Sequence, residues 1–403
     1  MADPGNSATP ASLPIAPTLG LAEAARRAWD VIAVGAGPAG ACAARELARA
    51  GCSVLLVDKS SFPRYKVCGS CLNGRVLSAL EAVGLGALVE EAGGVVLDGF
   101  RLAAAGAEVA LTLPGGAALG RERFDALLVR AAVQAGAEFL PRTRARLGVL
   151  RTTTLGGPTG SFRPVALHHG GDTESARARL VLAADGLGAG FLPRAPTMTA
   201  PASRIGAGLI VDEAPGFYRA GCIHMACGRA GYVGLVRLED GRLDVAAAFD
   251  PRALRHLGGP ARAATGVIAV VGWPVPAGLA AGPWRGTPGL TSRPERLGAE
   301  RLFVLGDAAG YVEPFTGEGI AWALTSARAL CPLALRAVER WDPGFPALWA
   351  ALHRRALGPR RLCHASARLL RSPLLTGVLV RLLANAPALA GPIVQALNRN
   401  CGL

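Results

Sequence analysis

Lysine is nearly absent from this chain. Lys59 and Lys66 are its only lysines, so the formal net charge of +14 is carried by arginine scattered among alanine and glycine. Dispersed charge of this kind reads as coding-sequence composition, not as the concentrated face of a nucleic-acid binder, and no nucleic-acid partner is expected. The nine cysteines are odd in number and follow no framework spacing, which excludes a disulfide-built secreted scaffold and suggests free thiols in a reducing cytoplasm. No stretch is apolar for long enough to span a bilayer. The strongest candidate, between Arg381 and Arg399, is interrupted by Asn385, Pro387, Pro392 and Gln395, which suits amphipathic or buried helices. The start of the chain is rich in Pro, Ala, Ser and Gly through Gly20 and lacks a basic start followed by an apolar run. It reads as a flexible tail over residues 1–28 rather than a secretory signal. There is no internal repeat.

What is present suits a large buried core: 403 residues, 51% hydrophobic, a length for two intertwined domains. Asp30 to Val34 is an apolar run ending in glycines, Ala39 to Ala50 is helix-compatible, and Ser53 to Val57 is a second apolar run closing at Asp58. Strands this apolar have no wet face, so a parallel, buried βαβ opening is expected. Helical signals return at Arg75 to Val83 and Arg123 to Ala135, and short buried strands at Leu180 to Ala184 and Leu302 to Leu305. Between them Ile205 to Val211, Gly231 to Arg237 and Arg242 to Phe249 read as strands, the last two joined by a hairpin at Glu239-Asp240-Gly241. The expected architecture is α/β. It comprises a Rossmann-like nucleotide-binding domain in two parts (29–200 and 285–345), a β-rich substrate domain inserted at 201–284, and a C-terminal helical region at 346–403.

Five short motifs, the last two in one late stretch, carry chemistry. In Gly35-Ala36-Gly37-Pro38-Ala39-Gly40 the first glycine permits a tight turn, the second lets backbone approach a pyrophosphate, and the third allows helix-on-strand packing. The helix then offers its N-terminus to phosphate. Asp58-Lys59 follows the second strand, where a carboxylate can take both hydroxyls of a ribose. An ordinary tight turn would explain the glycines alone, but not their flanking strands and Asp58. Ala184-Asp185-Gly186 ends a later strand. Gly306-Asp307 follows another, placed to bond a ribityl chain. Thr316-Gly317-Glu318-Gly319 then opens a helix at Ile320, whose amides can face the pyrimidine edge of an isoalloxazine and stabilise its reduced, anionic form. The last two motifs favour FAD over NAD.

On these residues the chain resembles the p-hydroxybenzoate hydroxylase-type flavoproteins and, within them, the geranylgeranyl reductase-related oxidoreductases. The likeness covers about Asp30 to Arg340 and includes Phe62-Pro63-Arg64-Tyr65-Lys66-Val67-Cys68-Gly69 and Arg123-Phe124-Asp125. It implies that Arg123 lies near FAD, that Asp185-Gly186 belongs to a second FAD-side motif, and that Cys68 lies close to the flavin, as a shield or proton donor. The chain departs from the isoprenoid reductases at Gly231-Tyr232-Val233-Gly234, where their aromatic, proline-containing substrate motif is missing. The resemblance therefore leaves open whether hydride is added to an activated C=C or a flavin hydroperoxide hydroxylates a lipid- or polyketide-like substrate.

Only one dinucleotide fingerprint exists, so NAD(P)H would visit transiently or a separate reductase would supply electrons. Cys68-Gly69-Ser70-Cys71 has the spacing of a redox dithiol or half a zinc site. A zinc site needs further ligands, and Cys222, His224 and Cys227 are irregularly spaced, so these three read as ordinary buried thiols and imidazole; no metal is expected. Glu313, Glu318 and Tyr311 flank the flavin loop, where solvated side chains and acids are alternative readings. The dense group Arg354, Arg355, Arg360 and Arg361, beside apolar segments, allows a peripheral contact with an acidic membrane surface. A solvated helix face explains the same pattern. Two rivals stand beside an FAD-dependent oxidoreductase acting on an apolar small molecule: a catalytically idle flavoprotein that binds a membrane or partner, and an NAD-dependent dehydrogenase.

Overall fold

The computed structural model describes residues 14–153, 160–188, 191, 197–200, 203–313, 315, 317–358, 361–392 and 394. Its first layer is a parallel sheet ordered Glu138–Leu140, Val54–Val57, Ala28–Val34, Asp172–Ala183, Leu302–Val304. Val54–Val57 is buried at every residue, the result expected of a strand packed on both faces. One face, through Val31, Ala33, Leu56 and Leu182, packs with Leu47, Phe124 and Leu324 from three helices: Pro38–Arg49, Arg121–Gln134 and Gly319–Glu339. The other face, through Ile32, Val34, Leu55 and Val181, covers a smaller core. The long strand Asp172–Ala183 links two environments. Its first half pairs antiparallel with Gly160–His169, and its end pairs with Leu302–Val304.

That smaller core corrects the expected N-terminal tail. Residues 1–13 lie outside the described residues, but Ile15 donates its amide to the Phe62 carbonyl and Thr18 bonds the backbone of Phe139. Leu21–Arg26 is a helix, with Ala24 buried and its carbonyl accepting from the Trp29 indole. Apolar Leu19 and Ala24 supply the burial that a solvated tail would lack.

The second layer is a seven-stranded sheet. Ile205–Val211, Gly231–Arg237 and Leu243–Phe249 form as expected, and Arg237 pairs with Leu243 across the hairpin. The sheet is not confined to 201–284. It also takes the hairpin Gly99–Ala104 and Ala107–Thr112, joined in parallel to Cys222–Gly228, and ends on Arg285–Gly289. Alternation divides its side chains. Leu243, Val245, Ala247 and Phe249 pack beneath the helix Pro260–Val270, while Asp244, Ala246 and Ala248 point the other way. Three helices, Phe345–Leu357, Arg361–Leu369 and Pro373–Asn385, and a short 3-10 helix, Pro387–Ala390, follow toward the C-terminus. No described helix is long and apolar enough to cross a membrane.

Candidate active site

The glycine loop is built by steric necessity. Gly35 has φ +101°, and a Cβ there would sit 2.3 Å from the carbonyl oxygen of Ala184. A Cβ on Gly40 would meet the Gly35 carbonyl oxygen at 1.8 Å. A Cβ on Gly37 would instead find only the Arg64 guanidinium, at 3.6 Å. Gly35 and Gly40 are therefore required by the fold, whereas the space over Gly37 is kept for something else. Pro38 begins the helix that follows, a position where its missing N–H costs nothing. Asp58 fixes the loop from the next strand: its Oδ2 accepts from the Ala36 amide at 2.8 Å and its Oδ1 from the Ser60 amide at 2.8 Å.

A cavity of about 1070 Å³ opens from this loop. It is lined by Gly35, Gly37, Pro38, Ala39, Asp58, Lys59, Asp185, Gly186, Asp307, Gly317, Gly319, Ile320 and Cys68, so segments as distant in sequence as the first strand and the long helix converge on one space. Gly40 and Gly306 stand just behind the wall. A Cβ on Gly306 would press on the Ala39 side chain at 2.7 Å, and the Gly306 amide donates to Ser326 at 3.0 Å. Asp185 accepts from the Phe191 amide at 3.1 Å. Thr316 lies outside the described residues.

These residues fit FAD. An open phosphate cradle at a helix N-terminus, a carboxylate at the end of the second strand, Asp307 midway and a second helix N-terminus at Gly319 follow one another along the cavity wall. The seven-stranded sheet covers the far side with small side chains, Gly206, Gly234, Ala246 and Ala248, and beyond them Leu102, Leu111, Met225 and Leu290 make the wall apolar.

Arg123 is not part of the lining, whereas Arg121, two residues earlier on the same helix, is. Helix phase is the reason. Arg121, Phe124, Asp125, Leu128, Val129 and Ala132 form the buried stripe of the helix, and Arg123 falls off it. Arg121 donates to both oxygens of the fully buried Asp125, at 2.9 and 2.8 Å, and Arg64 approaches the same carboxylate at 3.3 Å. Arg121 also bonds Cys68. Cys68 is thus held at the cavity wall beside a fixed positive charge.

Behind the Cys68 loop is a buried group that the sequence reading did not single out. Asp244, on the cavity side of its strand, is 1% exposed. Burial pushes its carboxyl up to about 7, against a hydrogen bond from Ser70 and the charge of Arg121. Ser70 itself has φ +50°. Burial also drives the Cys71 thiol well up, and its Sγ donates to the Gly69 carbonyl at 2.9 Å. Lys66 lines the cavity with its ammonium shifted down by burial, which the charge of Asp307 opposes.

The acidic residues around the flavin loop have structural partners. Glu313 is fully buried and takes Arg204 at 2.9 Å, while Arg204 also donates to the Leu370 carbonyl at 2.7 Å. Glu318 pairs with Arg75 at 2.5 Å. Cys222, His224 and Cys227 do not converge: His224 lies among Phe217, Tyr218 and Trp273 on one face of its strand, and Cys227 packs with Tyr232 on the other. The C-terminal wall also went unread in the sequence, since Leu370, Thr376, Leu379 and Leu383 line the same cavity.

The comparisons agree with this geometry. A family model described as an FAD binding domain matches residues 28–207. Digeranylgeranylglycerophospholipid reductase 2 of Methanopyrus kandleri is 30% identical over 332 residues, 78% of this chain and 78% of that protein. The chain belongs to the geranylgeranyl reductase-related FAD-dependent oxidoreductases. Menaquinone reductase of Mycobacterium tuberculosis (strain ATCC 25618 / H37Rv) is 38% identical over 122 residues, so the match spans only 29% of that relative's length. Among solved structures, a flavin-dependent brominase superposes with a TM-score of 0.71 at 15% identity, covering 92% of this chain and 94% of that one. A flavoprotein/dehydrogenase from Cytophaga hutchinsonii gives 0.70 at 17% identity, covering 92% and 96%. At such identities the family shares its fold with these flavoenzymes, and the likeness extends no further.

Proposed function

We propose that this FAD-dependent oxidoreductase reduces carbon–carbon double bonds of a long, apolar, isoprenoid-type molecule. The observation that carries the reading is the continuity of one cavity, from the phosphate cradle at Gly37 past Cys68 to walls of Leu102, Leu111, Leu290 and Leu383. Its volume of about 1070 Å³ is at the top of the about 300–1,000 Å³ range of small-molecule sites, which leaves room for an apolar molecule beside a dinucleotide. The relatives named as reductases of a geranylgeranyl lipid and of menaquinone support the same substrate class.

Bound FAD supplies two-electron hydride chemistry. In this reading the chain's own residues do the remaining work. Gly37 and the helix beginning at Pro38 hold the pyrophosphate, and Asp58 and Asp307 take the ribose and ribityl hydroxyls. The small residues Gly234 and Ala246 leave a flat slot, and the leucine walls exclude water from it. Cys68, oriented by Arg121, donates the proton that completes addition of two hydrogens across the double bond. The electrons come from NAD(P)H visiting transiently or from a separate reductase.

The test is anaerobic turnover of the chemically reduced, FAD-loaded protein with a geranylgeranyl lipid, followed by mass spectrometry. A product heavier by two hydrogens for each bond reduced is expected. A product carrying one added oxygen, formed only in air, would assign the site to hydroxylation instead.

A further inference from the structure

The helix Pro373–Asn385 has apolar residues on both sides. Its inner side, with Thr376, Leu379 and Leu383, lines the cavity, and Gly377 lets it lie against the tip of the Gly99–Thr112 hairpin, where a Cβ would come within 2.7 Å of the Ala105 side chain. Its outer side is also apolar. Of the eleven large hydrophobic side chains exposed among the described residues, five are Leu374, Leu375, Val378, Leu382 and Leu389. At 3.6 residues per turn the first four share an arc of about 100°. Leu374 is 82% exposed and Val378 65%, so nothing within the described chain covers them.

Charge indicates what does. No aspartate or glutamate follows Asp342, whereas eight arginines do. Arg381 is exposed on the helix that carries the apolar arc, and Arg368 and Arg371 are exposed on the preceding helix and the turn that leads into it. An apolar stripe edged by arginine, with no exposed acid on its own segment (Arg371 also reaches the buried Glu313 at 4.0 Å) and too short to span a bilayer, is the pattern of a helix lying in the plane of an anionic membrane surface. The helix is also held in place. The buried Arg204, paired with Glu313, donates to the Leu370 carbonyl just ahead of it.

We propose that the outer face of Pro373–Asn385, with Leu389, docks into the surface of an anionic lipid bilayer. The inner face of the same helix is the cavity wall, so docking brings the apolar end of the cavity against the lipid from which a water-insoluble molecule would enter. The position differs from the Arg354, Arg355, Arg360 and Arg361 cluster suggested by sequence. Arg354 and Arg355 are exposed, but Arg360 and the side chain of Arg361 lie outside the described residues.

The experiment is co-sedimentation of the full, FAD-loaded chain with vesicles of phosphatidylcholine alone or mixed with phosphatidylglycerol, in low and high salt. Binding is read without turnover, so failure of the proposed reaction leaves this result standing, and the reverse holds too. Phosphatidylglycerol vesicles should pellet the protein, phosphatidylcholine vesicles should retain far less, and salt should weaken the binding. The combined variant Leu375→Ser, Val378→Ser and Leu382→Ser should lose about tenfold or more in partitioning while keeping its flavin absorbance, the sign that it has folded. Undiminished binding of that variant would overturn the proposal. So would a wild-type protein that ignores both vesicles, or one that forms a dimer which the variant dissolves. A variant that fails to retain flavin is replaced by Leu374→Ser alone, at the most exposed position, with the same readouts.

Discussion

The two walls of the cavity are made in different ways. The cofactor wall is backbone: glycines whose missing Cβ atoms let Ala184, Gly35 and Ala39 close in, with carboxylates fixed by main-chain amides. The opposite wall is side chain: leucine, methionine and alanine from the seven-stranded sheet and the C-terminal helices. Backbone that must approach a phosphate tolerates few sequences, so it leaves motifs. An apolar wall needs only volume and leaves none.

The comparison can be broken first at the glycines. Gly40→Val should yield no folded protein, because its Cβ already overlaps the Gly35 carbonyl. Gly37→Val should fold with unchanged circular dichroism yet lack the flavin band near about 450 nm. If both variants fold, or both fail, the distinction between fold glycine and cofactor glycine is wrong.

The arginines sharpen it next. Arg121→Met should lower flavin retention or turnover by about 10- to 100-fold, since it removes a buried partner of Asp125, a loss that can cost about 3–5 kcal/mol; the nearby Arg64 should moderate the stability loss. Arg123→Met should stay within about threefold, the small effect usual away from buried networks. Equal losses would return Arg123 to the site.

A pH series probes the sheet wall. The raised carboxyl of Asp244 means that the folded protein holds a proton the unfolded chain has released between its ordinary value of 3.8 and about 7. Stability should therefore fall as pH rises through that window. Asp244→Asn should remove that slope and be more stable than wild type above pH 7, by on the order of 1–4 kcal/mol, as read by denaturant unfolding at pH 5 and pH 8. Parallel slopes in the two proteins would show that Asp244 does not carry the proton. Cys68→Ala should keep FAD and lose about 100-fold in turnover, the lower end of what a positioned proton donor supplies. Equal turnover would remove Cys68 from the reaction.

Much of this was legible in the sequence. The first βαβ unit, Asp58, the strands at Ile205, Gly231 and Leu243 and the helix at Gly319 lie where periodicity and glycine spacing placed them. Arg121 was missed because the resemblance pointed to Arg123, two residues away, and only the phase of Phe124, Leu128 and Ala132 shows which one turns inward. The hairpin Gly99–Thr112 gave no signal, and the C-terminal segment read as helical without any sign that Pro373–Asn385 walls the cavity, since both roles come from contact with distant parts of the chain and not from local pattern. Asp244 looked like any residue in an alternating strand. Its character comes from being folded against Ser70 and the Cys68 loop.

The most direct test of the central claim, that one cavity holds FAD and an apolar molecule against each other, is a titration of the FAD-loaded protein with geranylgeraniol while its visible spectrum is recorded. The account predicts a saturable shift of the flavin bands that Ala246→Phe, which fills the slot, abolishes without loss of FAD. A spectrum that stays fixed while the alcohol demonstrably binds would place the apolar site elsewhere and contradict it.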